Sequence, residues 1–277
     1  MNCFMWEQAK ILLLKLLELL YGLTNSWGIA IILLTILVRI AIHPLTQRQM
    51  VSMQKMQKLQ PMLKVLQDKY GDDKETLNRE MMALYKEHKV SPAAGCLPLL
   101  IQLPVFILLY GVLYDLTKTA EFQDVTFLGV NLGGSVLSTV AGALNLVDEA
   151  GVPVPTEQLG FIMVLFSSFT NLPLLFSHMG MWVPNLILLL VIAFLTWYQQ
   201  HISTNGNPQM AMMSWFMPLF LTFICFGLPG GVLLYWGVSS LMGVVHQVRV
   251  MRKTSVEMQQ KPTLYQEKPV PAGKKSA

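Results

Sequence analysis

The sequence predicts an all-α polytopic membrane protein, and three observations carry that prediction. The 277-residue chain is 53% hydrophobic and only 13% charged, with a mean hydropathy of +0.48; a soluble domain carries about 25% charged residues. Its apolar residues form continuous runs longer than a soluble core helix needs, not the short alternating segments of a membrane β-barrel. Its lysines and arginines also cluster. Nine lie in 46–91 and seven from Arg249 onward, against Lys118 alone in 118–181.

The elements follow in chain order. The opening stretch, MNCFMWEQAKILLLKLLELLYGLTNSWG, has no basic n-region and no small-residue cleavage site, so it does not read as a cleavable signal peptide. Cys3 lacks the preceding apolar stretch of a lipoprotein signal. Glu7, Lys10, Lys15 and Glu18 stand among leucines, and within 1–26 the residues 5–22 read as an amphipathic helix lying in the outer membrane–water interface. A short, poor first span is the alternative.

Apolar runs follow at 27–45, 96–115, 159–176, 182–199, 211–228 and 230–248. Lysine and arginine accumulate on the cytoplasmic side, which puts 46–91 and the basic tail 249–277 inside. The acids Glu121, Asp124, Asp148, Glu149 and Glu157 mark 116–181 as an outside loop. An even number of crossings must join the two inside regions, yet five runs lie between them. The run 159–176 is the weakest, with Ser167, Ser168, Thr170, Asn171 and Pro173, and it reads as a re-entrant or interfacial segment. Fusing 211–248 into one crossing is disfavoured, because Pro229, Gly230 and Gly231 read as a tight turn. Five spans result, with the N-terminus outside, the C-terminus inside, 200–210 a cytoplasmic loop, and the tail a disordered extension.

The inside segment 46–91 reads as two helices, 46–69 and 73–89, around YGDD. Gly71 stops the first, and Asp72 and Asp73 cap the second. Leu59, Leu63, Leu66 and Tyr70 form one stripe; Leu77, Met81, Leu84 and His88 form another. Two such stripes in series predict a helical hairpin that buries its own seam. Pro61 should kink or restart the first helix. Met50, Met53, Met56, Met62, Met81 and Met82 all fall in this segment. Methionine suits a surface that accepts many apolar shapes, and it is equally an ordinary core filler. The basic residues alternate with six acids and have only Tyr70 and Tyr85 as aromatic neighbours. That pattern fits a solvated face near anionic lipid and not a nucleic-acid surface.

Catalytic and cofactor constellations are missing from the sequence. It holds no GxSxG, HExxH, P-loop or GxGxxG. Cys3, Cys96 and Cys225 are too scattered for a disulfide framework or metal site. His43, His178, His201 and His246 lie near span ends without a ligand pattern. No enzyme, cofactor or metal is expected.

The spans instead carry scattered polarity: Thr35 and Arg39, then Gln102, then Thr196 and Gln199, then Ser214 and Thr222, and finally Tyr235, Trp236, Ser239 and Ser240. An arginine at the centre of a span costs about 2.5–3.5 kcal/mol on insertion scales. Arg39 lies one turn from His43 and Pro44, so snorkelling could relieve part of that cost. Yet no acid lies in the inner half of any span to pair with it. A charge without a partner needs water, which predicts a hydrated cavity open to the cytoplasm. A small-solute transporter or channel is the other use of such a cavity, although no internal repeat is seen.

Four ordered blocks then resemble one family, the YidC/Oxa/Alb membrane protein insertases. WGIAIILLTILVRIAIHPLT resembles the family's first core span with its signature arginine. MQKLQPMLKVLQDKYGDDKETLNREMMALYKEHKVSPAAGCLPLLIQLPVFILLYGVL resembles the cytoplasmic hairpin and second span. FLGVNLG is similar to the start of the outside loop, and NPQMAMMSWFMPLFLTFICFGLPGGVLLYWGVSSLMGVVHQ to the last two spans. The resemblance covers residues 20–250. It implies five core spans around a hydrophilic groove open to the cytoplasm and lipid and closed to the outside. It implies that Arg39 attracts acidic residues of a client protein. It implies that Trp236 lines the groove, with Tyr235 and Gln102 at motif positions, and Thr35, Gln199 and Ser239 complete the expected lining. The expected partners are nascent membrane proteins, the ribosome or its targeting machinery, the Sec translocon and the bilayer of a bacterial cytoplasmic membrane. The large outside domain of Gram-negative members is not seen, so the chain resembles the shorter Gram-positive type. Residues 134–181 are longer and more apolar than expected for that loop.

Overall fold

The computed structural model describes residues 2–88, 90, 97–119, 122, 125–145, 164, 167–168, 170–204 and 208–260. They form a helical bundle with one small β-hairpin. The helices are α1 (Asn2–Thr24), α2 (Trp27–Lys58), α3 (Gln60–Tyr70), α4 (Lys74–Glu87), α5 (Leu97–Thr117), α6 (Val136–Ala143), α7 (Leu172–Ser177), α8 (Met179–Thr204), α9 (Pro208–Cys225) and α10 (Gly230–Gln260). The strands β1 (Thr126–Phe127) and β2 (Val130–Asn131) pair antiparallel, with Thr126 opposite Asn131. Leu128 and Gly129 between them both have positive φ, 52° and 82°, the conformation that matches the twist of a two-residue hairpin.

Helix α2 sits at the centre because two faces of it are apolar. Ala30, Ile31 and Leu34 are buried and pack with Leu109, Val112 and Leu113 of α5 and Val232 and Leu233 of α10. Helix α10 lies along both α2 and α8, and α9 lies along α8. Helix α1 packs on α2 and α5, burying Leu17 and Leu20 in the same core. Its Lys10 forms an ion pair with Asp115 of α5, and Tyr21 stacks on Trp27 across the α1–α2 turn. Its Ile11, Leu12, Leu19 and Leu23 remain exposed. An apolar face turned outward is what a helix in contact with lipid presents.

Among the described residues, three segments are long and apolar enough to cross a membrane: Trp27–Met56, Met179–Ile202 and Gly230–Arg252. Shorter apolar stretches, Gln102–Thr117 and Trp215–Cys225, lie in α5 and α9.

Several boundaries differ from the sequence expectation. The first span and the first hairpin helix are one continuous helix to Lys58. Pro44 removes one intrahelical hydrogen bond, but α2 is supported by α10 along its length and continues. The break comes at Leu59, and Pro61 then sits in the first turn of α3, where a missing N–H costs nothing. Helix α10 likewise runs to Gln260, into the expected tail; 261–277 lie outside the described residues. Helix α8 runs to Thr204, shortening the expected loop 200–210. Of the expected re-entrant run 159–176, residues 164, 167–168 and 170–176 are described, the last of these largely as α7.

Helices α3 and α4 pack as the predicted hairpin. Asp73 caps α4 by accepting from the amides of Glu75 and Thr76, and from the Thr76 hydroxyl. Those bonds, the Thr76 hydroxyl first, hold its carboxyl below the usual carboxylate range. The seam joins Leu59, Leu63 and Val90 to Met56, Met62, Met81, Leu84 and Tyr85. His88 is not part of it; it is exposed at the C-terminus of α4, and Tyr85 and Val90 take its place. Leu63→Ala is expected to loosen the hairpin by about 2 kcal/mol or more, read as faster limited proteolysis at 71–73 with no change in the thermal stability of the bundle.

Candidate functional site: a polar recess around Arg39

Arg39 projects from α2 toward α10. Its Nε donates to the Ser239 hydroxyl at 2.8 Å and its Nη2 to the Ser239 carbonyl at 2.6 Å. Ser239 itself is buried. A guanidinium has five N–H donors. Its hydrogen bonds to the described residues use only Nε and Nη2, and both go to Ser239. No carboxylate among the described residues forms an ion pair with it; the ion pairs found there join Asp115 to Lys10 and Lys118. Full burial of a charge with donors to spare is very costly. Donors that the described residues leave unused call for water or an incoming acceptor, and the only partly buried position of Arg39 provides for it.

The neighbours extend this recess across three helices. Gln102 of α5 donates to the Tyr235 hydroxyl of α10 at 2.5 Å. Tyr235 is buried and lies next to both Ser239 and Arg39. Trp236, half-buried, packs edge-on against Phe106 of α5 with ring centroids 5.0 Å apart. Gln199 of α8 reaches in from the other side. A Cβ on Gly243 would lie 3.1 Å from Gln199 Nε2 and 3.7 Å from Arg39 Nη2. The missing side chain of Gly243 is the space in which these two polar groups converge.

Most expected lining residues thus come together: Arg39, Gln102, Gln199, Tyr235, Trp236 and Ser239. Thr35 is placed differently. It is 0% exposed, and its hydroxyl bonds back to the Ile31 carbonyl of its own helix at 2.6 Å. Gly243 was not anticipated from the sequence, nor were Gln49 and Gln247, both buried near the hairpin end. Trp236, Ser239, Ser240, Gly243 and Gln247 recur at the three- and four-residue spacing of one helix face, so the sequence did hold the signal for two of them. His43 and His246 also meet across α2 and α10, with ring centroids 4.7 Å apart.

The methionines divide. Met56, Met62 and Met81 fill the hairpin seam. Met50 and Met53, with Gln54, face Gln247 and Met251 of α10 around a small cleft. Met82 is exposed.

A helical bundle with long apolar exposed faces and a cationic polar recess among its spans is an integral membrane protein. The family model described as 60Kd inner membrane protein matches residues 19–259, and the chain belongs to that family, YidC/Oxa. Among curated relatives, the membrane protein insertase YidC of Rhizobium meliloti (strain 1021) is 32% identical over 262 residues, covering 93% of this chain and 39% of the relative. That of Tolumonas auensis is 33% identical over 252 residues, covering 90% and 37%. The chain thus spans about two fifths of the length of these relatives. The solved structure "Active YidC insertase crystal structure with the first transmembrane domain resolved" matches with a TM-score of 0.55 and 26% identity, over 87% of this chain and 45% of that one.

Proposed function

We propose that the chain is a membrane protein insertase and chaperone, acting in a bacterial cytoplasmic membrane, in which the Arg39 recess is a hydrated groove. Its spans are α2, α5, α8, α9 and α10, with the N-terminus outside and the α3–α4 hairpin and C-terminus inside. The observation that carries the reading is a guanidinium held between α2 and α10 by one serine, with donors that the described residues do not use and no described carboxylate as partner. Such a group attracts the acidic outside-going segment of a client and lowers the desolvation cost of bringing it into the membrane. The apolar part of the client then leaves for lipid, and its burial supplies the drive at about 25 cal/mol per Å². No nucleotide is required by this scheme.

Two further features support a sideways exit. Helix α9 packs along α8, and among the described residues α5 packs on α1 and touches α2 and α10 without extensive packing against α9. The outward side of α9 presents Trp215, Phe216, Leu219 and Phe220, all exposed. A solute channel would instead need polar lining to both ends. Beyond the recess the bundle is filled by Ile31, Leu34, Leu113, Leu132, Val232 and Leu233, which favours insertion over solute transport. Nascent membrane proteins are the proposed clients. The ribosome or targeting machinery and the Sec translocon are proposed partners at the hairpin side and in the bilayer, and insertion without Sec is expected as well. The test is reconstitution. Purified protein in liposomes, with no other translocon, should insert a single-span client bearing an acidic N-terminal tail, scored by protease protection. Insertion no better than in protein-free liposomes would overturn the proposal.

A further inference from the structure

Two of the chain's histidines meet where α2 and α10 leave the recess. Arg39 of α2 bonds to Ser239 of α10, and His43, one turn further along α2, faces His246, two turns further along α10. The two helices therefore run side by side in the same direction, and the histidines form a layer on the hairpin side of Arg39. Their ring centroids are 4.7 Å apart and their planes are inclined by 35°. His43 is exposed and His246 only partly buried, so water reaches both. No hydrogen bond joins either ring to a described residue, and neither belongs to a hydrophobic cluster. A histidine kept for packing is buried and bonded through its ring nitrogens; these two are not.

The spacing is that of two ligands on one metal ion. An imidazole nitrogen binds zinc at about 2.0–2.1 Å, which puts the ring centre about 3.2 Å from the ion. Two rings in neighbouring coordination positions, at about 90–110° to each other, then have their centres about 4.5–5.2 Å apart. The observed 4.7 Å lies within that range. The remaining adjustment is rotation of each ring about χ2, a soft torsion in histidine. Among the described residues no third histidine, cysteine or carboxylate joins the pair, so water completes the coordination. The charged neighbours are Arg39 and Arg249. Both oppose a cation, and Arg39 is drawn to Ser239 through Nε and Nη2. Only an ion with a strong preference for imidazole overcomes that opposition, which selects copper(II), nickel(II) or zinc(II) over magnesium and calcium.

We infer that His43 and His246 form a two-imidazole site for a borderline divalent transition metal. A bound ion ties α2 to α10 one turn from Arg39, at the hairpin end of the recess. The side chains come from two helices, so the site exists only in the folded chain, and metal binding stabilises the pairing of those helices.

The experiment uses the full chain, purified in detergent without a histidine tag, so the readout is independent of client insertion. Zinc(II) is titrated in competition with a chromophoric chelator. Wild type is expected to bind one zinc per chain and to ignore magnesium(II) at the same concentration. His43→Gln and His246→Gln each leave a single imidazole and are expected to bind about a hundredfold more weakly, the scale of losing one arm of a bivalent contact. Zinc should also raise the unfolding midpoint of wild type and not that of either variant. Absence of zinc binding by wild type, or a variant that binds as tightly as wild type or gains the same midpoint shift, overturns the inference. If the variants do not fold, copper(II) bound to the unaltered protein decides through its electron paramagnetic resonance spectrum. Two nitrogen ligands are expected; one or none overturns the inference.

Discussion

Arg39→Ala is expected to reduce insertion of a client with an acidic outside-going tail by about ten- to a hundredfold, while Arg39→Lys remains within about threefold of wild type. The scale is that of a hydrogen bond to a charged group, about 1.5–3 kcal/mol. The two substitutions separate charge from shape. Lysine keeps the positive charge but cannot hold the Ser239 hydroxyl and carbonyl at once, as the guanidinium does through Nε and Nη2. Survival of lysine therefore means that the client reads the charge. Loss with both would mean that the Arg39–Ser239 link between α2 and α10 is the feature that matters. A client with a neutral tail should show little difference among the three proteins. The assay is protease protection of the client in liposomes, with variant stability measured alongside. Equal insertion by all three proteins would remove the electrostatic role.

Deletion of the hairpin has the second large effect. Replacing 60–88 by a short Gly/Ser linker is expected to lower insertion by about tenfold or more, a loss of about 1.4 kcal/mol or more of client binding, with the bundle still folded. The structure favours this cut over one beginning at Met50. Met50, Met53 and Gln54 face Gln247 and Met251 of α10, so removing them would disturb the α2–α10 pair. Leu59 and Val90 share one cluster, which places the ends of the excised segment together and lets a short linker close the gap. The hairpin core is separate from the main core, so each can fold without the other. Elution volume, thermal unfolding and client insertion are measured together. A folded deletion protein that inserts normally would make the hairpin dispensable.

Much of this architecture is legible in the sequence because membrane spans announce themselves by length and charge asymmetry. The runs around Arg39, Gln102, Gln199 and Ser239 were assigned to helices, and those four residues do converge. The hairpin seam was legible as well, since Leu59, Leu63 and Leu84 repeat at helical spacing. What was missed is the continuation of α2 through Pro44 and the part played by small residues. Pro44 did not end its helix, because tertiary support from α10 outweighs one lost hydrogen bond. Thr35 looked like a lining residue by composition, yet hydroxyls in apolar helices commonly bond back to their own backbone. Gly243 lies on the helix face that Trp236, Ser239 and Gln247 mark, but a glycine has no polar group of its own, and its importance, like that of Gly230 against the Asn131 carbonyl, lies in what it allows to approach. Asn185, near the start of a long apolar run, was passed over for a related reason: its partners are backbone groups of a distant loop, 54 residues away, and no periodicity encodes them.

The central claim is a recess that water enters from the hairpin side only. It is tested most directly by Gly243→Cys in a chain whose natural cysteines are replaced by serine. Membrane-impermeant thiol reagents are applied to vesicles of each orientation. Gly243 lies where Gln199 and Arg39 meet, so a thiol there samples the recess itself. The account predicts rapid labelling when the hairpin face is exposed to reagent and none from the opposite face. Labelling from neither side would mean a dry bundle, and labelling from both would mean a pore; either result contradicts the account.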